Sequence, residues 1–200
     1  MRLLLNEEEL DFTLENEKVS LDIYNAMVEL SRKNEAVITG ITIDGEVLTQ
    51  ENFQSLMSKS VEDVEVMEFS SVLLSGLFDL LTEMLPEGGE IFSGLESLSA
   101  QLQTGKVKES SKTIQEIANL MEIVIYVFNC CGNFPEKFIS EKIGDQDFKE
   151  FFNGFMAVLP EFLDSFENKD YVLLGDLAEY EILPRLKALS AFASKMGGKA

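Results

Sequence analysis

One carboxylate, Glu122, lies in the most apolar stretch of the sequence and is the first candidate for chemistry. A carboxylate that is buried among apolar side chains has a raised pKa, which suits proton transfer. The sequence offers no second titratable group that can be paired with Glu122. We therefore favour the alternative, in which Glu122 reaches water or a lysine at the edge of a helical bundle.

A second group of polar side chains lies in the last predicted helix, where Asp176, Glu179 and Glu181 form an acidic patch with Tyr180. In a helix, the three- and four-residue steps place Asp176 on one face with Glu179 or Tyr180. Carboxylates alone can bind Mg²⁺ or Ca²⁺, but the sequence lacks the D-x-[DN]-x-[DN]-G loop of calcium sites. A solvated acidic face is the favoured interpretation, and no metal ligand is assigned.

Other catalytic chemistry has little support in the sequence. The chain contains no histidine, which excludes Ser-His and Cys-His nucleophile pairs and the usual His-containing metal sites. The adjacent cysteines, Cys130 and Cys131, have no basic neighbour and are expected to be reduced, buried and inert. Glycine-rich phosphate-binding motifs are also absent. We therefore predict a non-enzymatic protein with no catalytic residues, no metal ligands and no cofactor.

The elements that position these residues fall into two predicted domains, residues 1–69 and residues 70–200. In residues 1–69 the apolar spacing changes between the period of a strand and that of a helix. The predicted order is a hairpin that turns at 6–8 and runs to Leu14, a helix after Ser20, a strand over 36–43, an Asp-Gly turn, a short helix and a last strand over 64–69.

This order resembles the β-grasp fold of ubiquitin-like domains. The resemblance covers residues 1–69, and it is carried by the segments MRLLLNEEELDFTLE, the helix after Ser20, VITGITIDGEVLT and VEDVEVMEF. It implies a docking module, since many β-grasp domains have no other role. A covalent modifier would need a Gly-Gly tail directly after the last strand. Here Ser70 and Ser71 follow instead, and one or the other of them is predicted to cap a helix.

Residues 70–200 have helical apolar spacing throughout. Long amphipathic stretches joined by short Gly/Pro/Asn connectors predict an antiparallel helical bundle. The helices are expected over about 71–85, 90–103, 106–131 and 148–166, with a last one that starts near Asp170, has a kink at Pro184 and is closed by the glycines at 197–198. The overall prediction is an α+β fold, with a small β-grasp-like domain followed by a mostly α-helical bundle.

A stripe of phenylalanines from Phe148 to Phe166 could be the core of this bundle or an exposed groove that grips a partner. We favour the core, because an exposed aromatic stripe of that length promotes aggregation of a free monomer. The remaining alternative is a homo-oligomer in which a second copy covers the stripe.

The net charge and the apolar segments indicate which kind of partner the protein binds and where in the cell it is located. The chain carries 36 acidic and 16 basic residues, so its net charge is −20, which excludes a nucleic-acid binder. The N-terminus lacks the apolar core of a secretory signal, and the uninterrupted apolar run at 123–128 is far too short to span a bilayer. We therefore expect a cytoplasmic protein without a membrane span.

These observations predict an acidic protein-interaction or adaptor protein that binds another protein, one with a basic surface. Two alternatives belong to other classes. One is a metal-dependent enzyme in which Glu122, Asp176 and Glu179 converge inside the bundle, and the other is a bundle that holds a small apolar ligand.

Overall fold

A computed structural model of the chain describes residues 1–86, 88–104 and 107–197. The chain forms two compact units, Met1–Leu74 and Ser75–Ala200. The first is a mixed α+β unit, and the described part of the second is helical apart from one short hairpin. Parts of three predictions lie outside the described residues. These parts are Glu87 in the connector after the first bundle helix, Lys106 at the start of the third, and residues 198–200 at the C-terminus.

The N-terminal unit is one sheet with a helix against it. Its strand order is β2-β1-β5-β3-β4, in which β1 and β5 are parallel and the other pairs are antiparallel. The elements are β1 (Arg2–Leu5), β2 (Glu8–Glu9), α1 (Ser20–Lys33), β3 (Ala36–Ile43), β4 (Glu46–Val47), α2 (Phe53–Met57), a 3₁₀ turn (Val61–Asp63) and β5 (Val66–Leu73). Side chains from α1 and the sheet form its core, among them Leu3, Ile23, Met27, Ile41, Ile43, Met67 and Phe69.

The predicted hairpin is present, but its second strand is much shorter than predicted. Asn6 and Glu7 both adopt positive φ in the tight turn, and β2 then ends at Glu9 instead of Leu14. The ladder includes only Leu4 and Leu5 of β1, opposite Glu9 and Glu8, and the Leu10 N–H makes one further bond to the Leu3 carbonyl. Burial against the core explains the alternating pattern of Leu10 and Phe12 without a ladder.

The last strand is longer than predicted, so Ser70 and Ser71 do not cap a helix. β5 runs to Leu73 because β3 offers partners for it, with Ala36 opposite Leu73. The Ser71 N–H donates to the Asn6 side-chain carbonyl at 2.8 Å, which ties the first turn to this strand. The boundary between the units consequently lies after Leu74.

Asp44 fixes the turn between β3 and β4. Asp44 and Gly45 have φ values of 51° and 83°, as expected for a two-residue hairpin turn. The Asp44 carboxylate accepts the backbone N–H groups of Glu65 and Val66 at 2.9 and 3.0 Å. One side chain therefore joins the turn to the start of β5.

The C-terminal unit contains the predicted helices, with two additions. Its described elements are α3 (Leu74–Met84), α4 (Glu90–Gln103), α5 (Val107–Cys131), α6 (Pro135–Phe138), β6 (Lys142–Ile143), β7 (Gln146–Asp147), α7 (Phe148–Glu167), α8 (Tyr171–Asp176), a π-helical segment (Leu177–Ile182) and α9 (Leu183–Gly197). The helix α6 and the β6–β7 hairpin were not predicted, because elements of two to four residues carry no periodic signal.

The predicted kink at Pro184 takes the form of a wider helical turn. The chain stays helical from Tyr171 to Gly197, and the turn before Pro184 is π-helical. Proline lacks an N–H and clashes with the carbonyl four residues earlier, and a wider turn relieves that clash. Arg185 supports this turn, since its Nη1 donates to the Glu181 carbonyl oxygen at 2.8 Å and contacts the Glu181 carboxylate.

One described helical stretch, Ser110–Cys131 in α5, is long and apolar enough to cross a membrane by length and composition. In the most apolar 18-residue segment of this helix, 50% is buried inside the protein. The core helix of a soluble protein passes the same test of length and composition.

We expect Asp44→Asn to lower the free energy of unfolding of the N-terminal unit by about 1 kcal/mol near pH 7, because a charged acceptor is replaced by a neutral one. Asparagine tolerates the left-handed backbone, so the turn is kept. Urea unfolding of the full chain, followed through the NMR signals of β5, measures the change.

The difference in stability between the wild type and Asp44→Asn should depend on pH. The Val66 N–H, then the Glu65 N–H and Lys59, hold the pKa of Asp44 below its ordinary value. The stabilisation is therefore complete above the ordinary Asp pKa of about 3.9 and is lost as the pH falls through the lowered pKa. The wild type and the variant should become equally stable in acid, and a difference that stays constant with pH would contradict this role.

A close approach of α8 to α4 gives a second stability prediction. A Cβ atom at Gly175 would lie 2.9 Å from the Cβ of Ser99, so Gly175→Ala should lower the free energy of unfolding by about 1–2 kcal/mol. Gly154 in α7 has open space around its Cβ position, and Gly154→Ala should raise stability by up to about 1 kcal/mol. Circular dichroism during urea unfolding compares them, and equal effects would contradict the close packing.

Candidate binding surfaces

The four residues singled out in the sequence do not form one site. Glu122 is exposed on α5, in the solvent-facing position that we favoured for it. Asp176 ends α8, Glu179 and Tyr180 lie in the π-helical segment, and all three are exposed. Among residues 1–86, 88–104 and 107–197, no group of three or more Asp, Glu or Cys side chains could hold a metal ion. The described residues therefore do not support the alternative in which Glu122, Asp176 and Glu179 converge on a metal ion.

The phenylalanine stripe on α7 divides between core and surface. Phe151, Phe155 and Phe162 are at most 2% exposed and belong to the core, as favoured from the sequence. Phe148 and Phe152, at the start of the helix, are only half-buried. These two side chains contribute to an aromatic recess on the surface of the C-terminal unit.

Four aromatic rings from three helices stack beside one another in this recess. The ring of Phe128 on α5 lies 4.2 Å from that of Phe152 and 4.6 Å from that of Phe148, with nearly parallel planes. Phe148 in turn stacks on Phe138 of α6 at 4.6 Å. The short α6 is thus the element that brings the fourth ring into the row.

We call this recess the aromatic cleft. It has a volume of about 430 Å³, and its wall is almost wholly apolar. Ile139, which follows α6, is 83% exposed at the edge of the cleft, while Asp147 and Lys149 supply its charges. The lining residues are Phe128, Cys131, Gly132, Pro135, Phe138, Ile139, Asp147, Phe148, Lys149 and Phe152.

The two cysteines are buried free thiols, as the sequence predicts. Burial raises the pKa of Cys131, which lines the cleft, to about 12. Burial also raises the pKa of Cys130, although a hydrogen bond from Tyr126 acts in the opposite direction. Neither thiol is therefore activated as a nucleophile.

A second recess, which we call the acidic groove, lies between α5 and α7. Its volume is about 540 Å³. Its charged lining residues are Glu122, Asp164 and Glu167, and none of its described lining residues is basic. The apolar lining consists of Ile117, Ala118, Met121, Ile125, Met156, Leu159, Pro160, Phe162 and Leu163.

The sequence drew attention to Glu122 but did not predict the groove that this residue lines. Asp164 and Glu167 belong to another helix, and only the packing of α7 beside α5 brings them to the same groove. The signal available in the sequence was the exposed face of α7, where acidic residues follow the apolar stripe at helical spacing.

A family model described as Domain of unknown function (DUF8042) matches residues 79–192, which is more than half of the chain. The chain belongs to this family. The matched segment contains both the aromatic cleft and the acidic groove, so the two surfaces lie within the DUF8042 domain.

Residues 1–72 match a second model, described as the TP0873 N-terminal domain. An uncharacterized protein of Treponema pallidum (strain Nichols) is 20% identical over 190 residues, which cover 95% of this chain and 94% of that protein. The similarity therefore spans both units. No solved structure matches the chain.

We expect both thiols to resist alkylation by iodoacetamide in the folded protein. With a pKa of about 12, only about 10⁻⁴ of Cys131 is thiolate near pH 8, and its sulfur is shielded as well. Mass spectrometry should show labelling only after urea is added. Rapid labelling of the folded chain would contradict the assignment of inert thiols.

Proposed function

We propose that this protein is a non-enzymatic, acidic adaptor that binds another protein through its helical unit. The observation that carries the proposal is the aromatic cleft with Ile139 at its edge. Aromatic side chains in a surface recess are typical of the central residues of protein interfaces. An isoleucine that is 83% exposed beside such a recess gains from being covered by a partner.

The N-terminal unit is, in this proposal, a ubiquitin-like β-grasp docking module. Its strand order, β2-β1-β5-β3-β4 with a parallel β1–β5 pair, and the helix α1 against the sheet support this assignment. The fold does not identify what is docked. A modifier role is not proposed, because β5 leads directly into α3.

Charge supports a partner with a basic surface. The net charge of −20 accelerates encounter with such a protein and disfavours both nucleic acid and a second copy of the chain. We place this encounter in the cytoplasm and treat α5 as a core helix, not a membrane span. A homo-oligomer is the less favoured arrangement.

A second candidate function is the binding of a small apolar ligand. The volume of the aromatic cleft, about 430 Å³, lies in the range of small-molecule pockets and favours it. A ligand held in the cleft would leave most of Ile139 in water, whereas a protein would cover it. Native mass spectrometry of the protein purified from its own cells separates the two, because a retained small molecule adds a defined mass to each chain.

The adaptor function can be tested by affinity capture with an interface variant. The full tagged chain is cross-linked in native lysate at low and at about 0.15 M salt, and bound proteins are quantified by mass spectrometry. We expect a basic partner that is enriched at low salt. Ile139→Asp should reduce its recovery at least about tenfold, because a charge is then buried against the partner.

Val172→Asp is the matched control. Val172 is 72% exposed on α8, it does not line the cleft, and its replacement adds the same charge. This variant should recover the partner as the wild type does. Equal recovery by wild type and Ile139→Asp, or capture of the chain alone, would contradict the proposal.

A further inference from the structure

The acidic groove differs from the aromatic cleft in shape and in charge. Its apolar walls follow two helices, with Ile117, Met121 and Ile125 at four-residue steps along α5. Eight residues of helix span about 12 Å, so the groove is as long as two helical turns. The aromatic cleft suits a single large side chain, whereas a groove of this length suits a row of side chains.

The α7 side of the groove leaves apolar surface uncovered. Leu163 is 44% exposed and Met156 is half-buried, although both line the groove. Two neighbouring helices present the kind of surface against which the side-chain ridge of a third helix packs. The half-buried Met156 adapts to different apolar side chains, as methionines do in other grooves that accept helices.

The charged residues of the groove determine which kind of helix it can bind. Glu122 lies on the α5 side, while Asp164 and Glu167 lie on the α7 side. All three are exposed, and no ion pair is described for any of them. Carboxylates on both sides of an apolar floor complement a helix that has an apolar stripe with Lys or Arg on each side of it.

We propose that the acidic groove binds one basic amphipathic helix of a partner protein. The inference rests on the proposed function in that it assumes protein binding, but it concerns a different surface from the aromatic cleft. Apolar residues of the helix, three and four positions apart, lie on Ile125, Met156 and Leu163. Its basic residues lie opposite Glu122 on one side and Asp164 and Glu167 on the other.

The probe is a synthetic amphipathic helix of about 18 residues made of leucine and lysine, added to the full chain. Fluorescence anisotropy measures its affinity, and the NMR signals of α5 and α7 locate its site. Leu163→Asp should weaken binding at least about tenfold, because it removes an apolar contact. Simple charge attraction predicts the opposite, since the same substitution makes the chain more acidic.

Charge reversal tests the two sides of the groove. Glu122→Lys and Glu167→Lys should each weaken binding about tenfold. Glu161→Lys is the matched control, because Glu161 is exposed on α7 outside the groove and its replacement changes the net charge equally. This control should bind the peptide within about twofold of the wild type.

Two altered peptides test the chemistry of the occupant. A version with glutamate in place of lysine should not bind, and a version with a central proline should bind at least about tenfold more weakly, because proline breaks the helix. Equal weakening by Glu161→Lys, stronger binding by Leu163→Asp or unchanged binding of the proline peptide would overturn the proposal. So would a dimer of the chain that covers Leu163 and excludes the peptide.

The outcomes separate this inference from the adaptor function. If Ile139→Asp loses the partner but the peptide tests fail, the adaptor function is supported and the helix-binding groove is rejected. If the peptide tests succeed but Ile139→Asp recovers the partner as the wild type does, helix binding is supported and the proposed role of the aromatic cleft is rejected.

Discussion

The C-terminal unit depends on covering the apolar faces of α5 (Val107–Cys131), whose exposed stripe includes Gln115, Asn119 and Glu122. One face is covered by α4, which comes so close that a Cβ at Gly94 would lie 2.9 Å from Thr113. The end of α5 is covered by the aromatic rings of α7, since Phe128 stacks on Phe148 and Phe152. Both surface recesses arise where this cover is incomplete, so the candidate sites are consequences of how α5 is buried.

Local patterns predicted the long elements because length and periodicity reinforce each other. The strand over Ala36–Ile43 and the helix over Glu90–Gln103 have the predicted bounds, and the Asp44–Gly45 turn adopts the backbone that its residues favour. The errors occur where a partner strand decides the outcome. β2 ends at Glu9 after pairing with only Leu4 and Leu5 of β1, and β5 runs to Leu73 because β3 can pair with it.

The candidate sites were less predictable, because they depend on distance between helices. Glu122 drew attention as a lone carboxylate in an apolar stretch, yet its role in the groove comes from Asp164 and Glu167 on another helix. Asp176 and Glu179 share the spacing of a helical face, but a π-helical turn intervenes before Pro184. The cleft depends on α6, whose four residues have no detectable period.

Acidity and exposed apolar surface act together in this protein. An apolar groove on a neutral chain invites self-association, because a second copy offers the same apolar surface. Here the rim of the groove is acidic and the chain carries a net charge of −20, so a second copy is repelled while a basic helix is attracted. In the binding mode that we propose, the same carboxylates disfavour a second copy on the apolar floor and select a basic helix to cover it.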